Sequence, residues 1–138
     1  MRFERMVSTG IAALIVACAG GAPAAADPTG LWRANDGGTT RIARCGSAFC
    51  GTIASTVPTN ATDEKNTDSS KRNRPLVGVM VLISMQQSGS NRWSGRLYNP
   101  HDGQFYPGHL IEQGDSTIRV EGCGFLGMCG GENLTRVR

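Results

Sequence analysis

RWSGRLYNPHDGQFYPGHLIEQGDSTIRVEG, residues 92–122, shows most clearly how this chain folds. Turn-forming dipeptides at 102–103 (Asp-Gly) and 114–115 (Gly-Asp) divide it into three short segments. In the third segment Ile118 and Val120 alternate with polar residues, which is typical of a strand with one buried and one solvated face. The stretch therefore predicts three consecutive antiparallel strands joined by tight turns.

The first of these segments has the same alternation. Trp93, with Gly95 and Leu97, falls on one predicted face, whereas Ser94, Arg96 and Tyr98 fall on the other. The pattern predicts that Trp93 faces the core and Tyr98 the solvent.

The rest of the chain after residue 26 repeats this pattern of short strands and glycine-rich turns, and a helical stripe is absent from it. The run LVGVMVLISM, residues 76–85, is apolar on both faces, so it predicts a strand that is covered on both sides or strongly curved at Gly78. We predict an all-β fold, a single small antiparallel up-and-down barrel of about eight strands, because closure removes exposed strand edges. The predicted strands are Gly30–Ala34, Thr39–Cys45, Cys50–Thr56, Leu76–Gln87, Arg92–Asn99, Gln104–Gln113, Ser116–Gly122 and Asn133–Arg138.

The first 26 residues predict a cleaved export signal. They contain a short basic start, an apolar run at 6–19 and small residues that end at Ala26. The apolar run is shorter than the roughly 20 residues that a membrane-spanning helix needs, so no transmembrane segment is expected. The chain therefore divides into a signal peptide, 1–26, and one β-barrel domain, 27–138, with a periplasmic or secreted location. In a less favoured alternative, Cys18 in the lipobox-like sequence IVAC becomes a lipid-modified first residue.

The charge of the chain is almost balanced. Loss of Arg2, Glu4 and Arg5 with the signal would lower the formal net charge from +3 to +2. A nucleic-acid-binding domain carries a basic patch or stripe, so we expect no nucleic-acid partner.

Four cysteines follow the signal, an even number in a chain predicted to be exported, which indicates two disulfides. Three pairings are possible, and local pairing of Cys45 with Cys50 and of Cys123 with Cys129 fits hairpin geometry best. A zinc cage is disfavoured by the spacing and by the oxidising compartment. A redox role is disfavoured because neither pair is C-x-x-C.

One long polar connection, Val57–Arg74, interrupts the series of strands. Its mixed charges predict a solvated, flexible loop, although loops of this length are often functional. Asp63, Glu64, Asn66 and Asp68 could offer oxygen ligands to calcium, but their spacing does not fit an EF-hand. The favoured role of Asp63 and Asn66 is to shape the loop as Asx turns do, and no metal site is predicted.

Motifs at the two ends of the domain resemble those of lipocalin-type barrels. Gly30-Leu31-Trp32 resembles their G-x-W motif, and Arg136 resembles their late arginine, which covers the tryptophan and seals one barrel end. A guanidinium over an indole face contributes about 0.5–2 kcal/mol.

A more extensive resemblance covers almost the whole domain. The segments RIARCGSAFCGTI, DEKN, NRPLVG, WSGRLYNPHDGQFYPG and VEGCGFLGMC are similar to a domain-of-unknown-function family of small exported bacterial proteins. The resemblance implies a lipocalin-like barrel and brings no established chemistry. Members often carry tryptophan before the final T-R, whereas Leu134 precedes Thr135-Arg136 here.

Candidate catalytic groups are few. His101 and His109 are the side chains that ordinarily titrate near neutrality, but no serine lies in a recognisable nucleophile elbow. We therefore expect no enzyme activity and no cofactor.

The favoured hypothesis is a barrel that binds a small apolar or amphipathic molecule, with the Val57–Arg74 loop as a lid. The alternative is a protein–protein interaction module or inhibitor acting in the cell envelope, which would meet its partner through the same loop and the YNPHDG turn. Aromatic residues with polar tips suit a ligand pocket, and charged loop residues suit its rim. The candidate ligand contacts are Trp93, Tyr98, Tyr106, Arg74, Asp63 and Asn66.

Overall fold

The computed structural model describes residues 12–13 and 26–138 and contains eight strands. Nearly all of the predicted signal peptide, Cys18 included, lies outside the described residues. No helix among the described residues is long and apolar enough to cross a membrane. The strands are β1 (Gly30–Arg33), β2 (Thr39–Cys45), β3 (Ala48–Ser55), β4 (Met80–Gly89), β5 (Arg92–Asn99), β6 (Gln104–Glu112), β7 (Thr117–Cys123) and β8 (Cys129–Arg136).

Each strand pairs antiparallel with its sequence neighbours, and β8 returns to β1 to close the barrel. The predicted all-β up-and-down barrel is thereby confirmed. Because the strands alternate in direction, the β1–β2, β3–β4, β5–β6 and β7–β8 connections lie at one end, which we call the mouth. The other three connections lie at the opposite, closed end.

Two predicted strand boundaries were wrong by four residues, and the others differ from the structure by at most two. Leu76 does not begin β4, because Val79 donates a backbone hydrogen bond to Leu76 (3.0 Å) across a turn in which Gly78 has φ 93°. β8 begins at Cys129 rather than Asn133, since Gly130 and Gly131 continue the ladder opposite β7. The first segment was predicted as strand and forms a turn, and the second was predicted as turn and forms strand. Local composition does not show which segments pair with each other in the sheet.

The core fills the closed half of the barrel. Trp93 and Phe49 meet edge to face with ring centroids 6.1 Å apart, and Met85, Leu110 and Ile118 are fully buried around them. Trp32 is also fully buried, and its indole Nε1 donates to the Pro28 carbonyl (2.9 Å). The expected contact with the late arginine is present, because the Arg136 guanidinium carbon lies 4.3 Å from the Trp32 ring centroid.

Both local disulfides are present, as predicted. Cys123 and Cys129 are direct cross-strand partners at the mouth, with Cα atoms 4.0 Å apart. The Cys45–Cys50 bridge is diagonal instead, because Cys45 pairs in register with Ala48. Each bridge clips one hairpin, one at either end of the barrel.

Candidate functional site

A cavity of about 840 Å³ opens at the mouth and extends into the barrel. Its inner wall is mainly aliphatic, because the inward positions of the strands carry branched side chains there. Its rim is polar and comes from three connections and the start of β8. The inner wall includes Ile53, Leu82, Leu97, Val120 and Leu134, and the rim includes Asp36, Glu64, Lys65, His101 and Glu132.

The long connection between β3 and β4, residues 56–79, is anchored by one buried carboxylate. Asp63 is completely buried and accepts from the Tyr98 hydroxyl at 2.5 Å and from Asn66 Nδ2 at 2.9 Å. Arg74 completes the network with its Nε and Nη2 atoms, 2.9 and 2.8 Å from Asp63 Oδ2. The backbone adds two more bonds between the arms of the connection, Asp63 N to Arg74 O and Leu76 N to Ala61 O, each 3.0 Å.

This network corrects two predictions. Most side chains of the connection are exposed, as predicted for a solvated loop, but the buried Asp63 and Asn66 hold it on the barrel wall, which the sequence pattern did not predict; its flexibility stays a prediction. Tyr98 was predicted to face solvent and is only 2% exposed, because the connection covers the outer face of β5 at this point. The predicted Asx-type loop shaping is present at Asn66, whose Oδ1 accepts from the backbone of Asp68 (2.8 Å), whereas the Asp63 carboxylate accepts from side chains instead.

The same network shifts two pKa values in opposite directions. Burial, and then the hydrogen bond to Asp63, raise the pKa of Tyr98 to about 12. Burial alone would raise the pKa of Asp63, but the hydrogen bonds from Tyr98, Asn66 and Arg74 outweigh it and hold that pKa below its usual range. At neutral pH the site therefore contains a carboxylate and a neutral phenol.

A glycine lets two connections meet at the rim. Gly103, in the β5–β6 turn, has φ 72°, and a Cβ there would lie 1.9 Å from the Lys65 carbonyl oxygen. A side chain would therefore collide with backbone of the long connection. The turn and the connection form one continuous edge of the cavity.

The structure separates the predicted ligand contacts into three groups. Tyr98 borders the cavity. Asp63, Asn66 and Arg74 use their polar atoms on one another and on Tyr98, so they position the rim instead of lining it. Their direct contact with a ligand stays a prediction that this geometry does not favour.

Neither Trp93 nor Tyr106 lines the main cavity, although Tyr106 lies close to it. Trp93 is packed against Phe49 in the core of the closed half. Tyr106 borders a second, smaller cavity of about 370 Å³ beside Leu97 and Met128, and its hydroxyl donates to Asp102. As contacts for a ligand in the main cavity, both stay predictions that their positions do not favour.

Comparison with known proteins identifies the family. A model of a bacterial family described as "Uncharacterized protein conserved in bacteria (DUF2147)" matches residues 30–136, which run from the first residue of β1 to the last of β8. The chain belongs to the DUF2147 family. No curated protein matches the sequence.

One solved structure shares the fold of this DUF2147 member. A protein from the human pathogen Helicobacter pylori, described as belonging to the lipocalin family, superposes with a TM-score of 0.70 at 18% identity. The match covers 81% of this chain and 84% of that chain. The lipocalin-like architecture implied by the terminal motifs is confirmed by this similarity.

Sequence reasoning missed most of the inner wall of the DUF2147 cavity. Leu97, Val120 and Leu134 were recognisable as inward-facing strand residues, but alternation does not tell which inward residues border empty space. The position of the empty space follows from two features of the structure. The aromatic core fills the closed half, and glycines such as Gly122 and Gly131, which have no side chain to fill space, line the wall at the mouth.

Proposed function

We propose that this DUF2147 protein is an exported, non-enzymatic barrel that binds a small apolar or amphipathic molecule in its mouth cavity. The observation that carries the proposal is the cavity itself, which at about 840 Å³ falls within the roughly 300–1,000 Å³ of small-molecule sites.

The distribution of polarity within the cavity supports an amphipathic occupant. Aliphatic side chains such as Val120 and Leu134 would receive an apolar portion, whose burial contributes about 25 cal/mol per Å². Lys65 and His101 at the rim would meet a polar or anionic group, while Glu64 and Glu132 beside them would accept hydrogen bonds.

The closed end supports a site with a single entrance. Arg136 lies over the Trp32 indole and donates to the carbonyls of Asp115 (2.8 Å) and Thr29 (2.7 Å), which ties three segments together there. A ligand would enter and leave through the mouth.

The position of one serine–histidine pair supports binding over catalysis. Ser94 Oγ lies 2.9 Å from His109 Nδ1, but neither residue borders the cavity. A nucleophile and base act on a bound molecule only within hydrogen-bond reach of it.

Export is supported by the predicted signal peptide and by the two disulfides, since such bonds persist in oxidising compartments. A periplasmic location suits a carrier or scavenger of sparingly soluble molecules.

A cavity-filling variant tests the proposal. Protein purified from its native periplasm would be measured by native mass spectrometry for a co-purifying small molecule and titrated with the dye N-phenylnaphthylamine. Val120→Phe puts an aromatic ring into the cavity and is expected to weaken dye binding at least about tenfold. Val137→Phe, at the closed end, is the matched control and should bind as the wild type does. Equal dye binding by both variants, or none by the wild type together with no co-purifying molecule, would contradict the proposal.

A further inference from the structure

We propose that the β7–β8 hairpin end, residues 123–129, docks the barrel onto a lipid bilayer surface. This segment, CGFLGMC, is called the apolar tip below. The proposal rests on the function proposed above for the nature of the cargo, which would enter the cavity from the membrane.

The apolar tip presents three large hydrophobic side chains to solvent. Phe125 is 87% exposed, Leu126 82% and Met128 75%, more than any other large apolar side chain among the described residues, of which Val57 at 66% comes next. An exposed cluster of this kind marks an interaction site more often than isolated surface residues do.

The backbone of the apolar tip holds these side chains outward in a fixed shape. The Cys123–Cys129 disulfide closes its base. Leu126 has φ 58°, in the left-handed region, where glycine would fit without strain. A bulky leucine in this strained conformation points to a use for its side chain.

Moving the apolar tip out of water also costs little desolvation free energy. Residues 122–131 carry no charged side chain, so no ion has to be desolvated. Gly124 N donates to Met128 O (2.8 Å), while Gly127 N and Met128 N donate within the tip at 3.3 Å. Each backbone group that is satisfied within the tip lowers the free-energy cost of bringing it against an apolar phase.

The composition of the apolar tip favours a bilayer over a second copy of the chain. Its three large side chains expose roughly 500 Å² in total, whereas a stable protein interface takes about 800 Å² from each partner and surrounds its apolar centre with a polar rim, which this uncharged tip lacks. Insertion into a lipid surface has no such threshold, because each buried apolar group adds to the binding free energy.

The apolar tip stands at the mouth, next to the cavity. Cys129 is followed directly by Gly130 and Gly131, which border the cavity, and Met128 borders the smaller one beside Leu97. A barrel anchored by this tip would hold its opening close to the membrane surface, where an amphipathic molecule could pass without crossing bulk water.

Flotation with vesicles of pure phosphatidylcholine tests the proposal, since a neutral lipid isolates the apolar contribution. The wild type is expected to float with the vesicles at low and high salt. The double variant Phe125→Ser/Leu126→Ser should partition at least about tenfold more weakly. Val137→Ser, an exposed apolar residue at the closed end, should bind as the wild type does.

A second measurement guards against a variant that misfolds. Phe125→Trp adds an exposed indole to a protein whose Trp32 and Trp93 are buried, so a vesicle-dependent blue shift would report insertion of the tip itself. A wild type that stays in the aqueous fraction, or equal partition of wild type and double variant, would overturn the proposal. Self-association without vesicles that the double variant abolishes would assign the tip to a second copy and would also overturn it.

The failure of this proposal can be told apart from failure of the cavity function. Val120→Phe alters the cavity and leaves the apolar tip unchanged, so it should lose dye binding and keep vesicle binding. If the protein bound vesicles through its apolar tip but took up no dye, the docking proposal would stand and the proposed cavity function would fail.

Discussion

At the scale of single residues, Asp63 does more than any other side chain to shape the mouth. It accepts from three side chains, Asn66 and Arg74 of the long connection itself and Tyr98 of β5. A buried carboxylate is costly to desolvate unless such partners surround it. The long connection is therefore held in one place by a polar contact, and not by a hydrophobic core of its own.

Replacing Asp63 by Asn should destabilise the protein by about 2 kcal/mol at neutral pH, because the charged acceptor of three hydrogen bonds is lost. The pKa of Asp63 is lowered in the folded state. Its stabilising contribution is thus complete above its unfolded pKa of about 4 and declines as the pH falls through the folded value. Urea unfolding across this range should show the wild type and Asp63→Asn converging in acid. The exposed neighbour Glu64→Gln is the control, and a variant gap that does not narrow in acid would contradict this account.

Arg136 is the corresponding residue at the closed end. Its guanidinium covers Trp32 and donates to the carbonyls of three residues, Asp27, Thr29 and Asp115, a planar arrangement that an ammonium group cannot reproduce. Arg136→Lys should therefore lower the free energy of unfolding by about 1–2 kcal/mol and raise the accessibility of Trp32 to acrylamide quenching. Arg33→Lys, on the exposed side of β1, should leave both measurements unchanged.

At the scale of elements, the connections at the mouth differ from those at the closed end. The turns at the closed end are short, whereas the mouth carries the long connection, the β5–β6 turn and the apolar tip. Gly103 allows the first two to touch at Lys65, and a disulfide closes the third. Barrel strands supply the frame of the site, and these connections supply most of its polar rim.

The Cys123–Cys129 bridge should matter more for the apolar tip than for the barrel as a whole. A ring this short stabilises by about 2 kcal/mol on the loop-entropy model, and the same applies to Cys45–Cys50. The two double serine variants should therefore unfold at similar urea concentrations. In Cys123→Ser/Cys129→Ser alone, hydrogen exchange of Gly124, Gly127 and Met128 should accelerate. If these amides stayed equally protected without the bridge, the turn would be stable without the disulfide and this prediction would be contradicted.

At the scale of the whole molecule, the barrel is divided into a filled half and a hollow half. Aromatic side chains fill the closed half, where Trp32, Phe49 and Trp93 are buried. Toward the mouth the wall is made of smaller residues such as Val120 and Gly122, and space remains between them. An unfilled apolar space leaves its lining without contacts, so a fitting ligand should add stability.

Ligand-linked stability is measurable on the intact protein. A molecule that binds the folded state alone stabilises it by about 2.7 kcal/mol at a concentration 100 times its Kd. N-phenylnaphthylamine in excess should therefore raise the Tm of the wild type, and the rise should be absent in Val120→Phe. Val137→Phe should show the wild-type rise. An equal rise in all three would place dye binding outside the cavity.

Much of the fold could be predicted from local pattern, and less of the site could. Turn dipeptides and the alternation of apolar and polar residues located most strands, and the spacing of the cysteines indicated the two local disulfides. Tyr98 was assigned to the wrong environment because its cover comes from Asp63, 35 residues earlier in the chain. Alternation records which side of a strand a residue occupies and contains nothing about what crosses over that side.

The sequence by itself indicated most strands, an antiparallel barrel and local disulfides, because these follow from short-range periodicity, turn dipeptides and cysteine spacing, and a resemblance to known motifs indicated the Trp32–Arg136 pair. Tertiary structure alone decided where the barrel is hollow and how the long connection is held. It also decided that the apolar tip stands beside the opening. Those features depend on side-chain volumes summed over eight strands and on contacts between distant segments. Neither the summed volumes nor the distant contacts can be recognised from a window of a few residues of sequence.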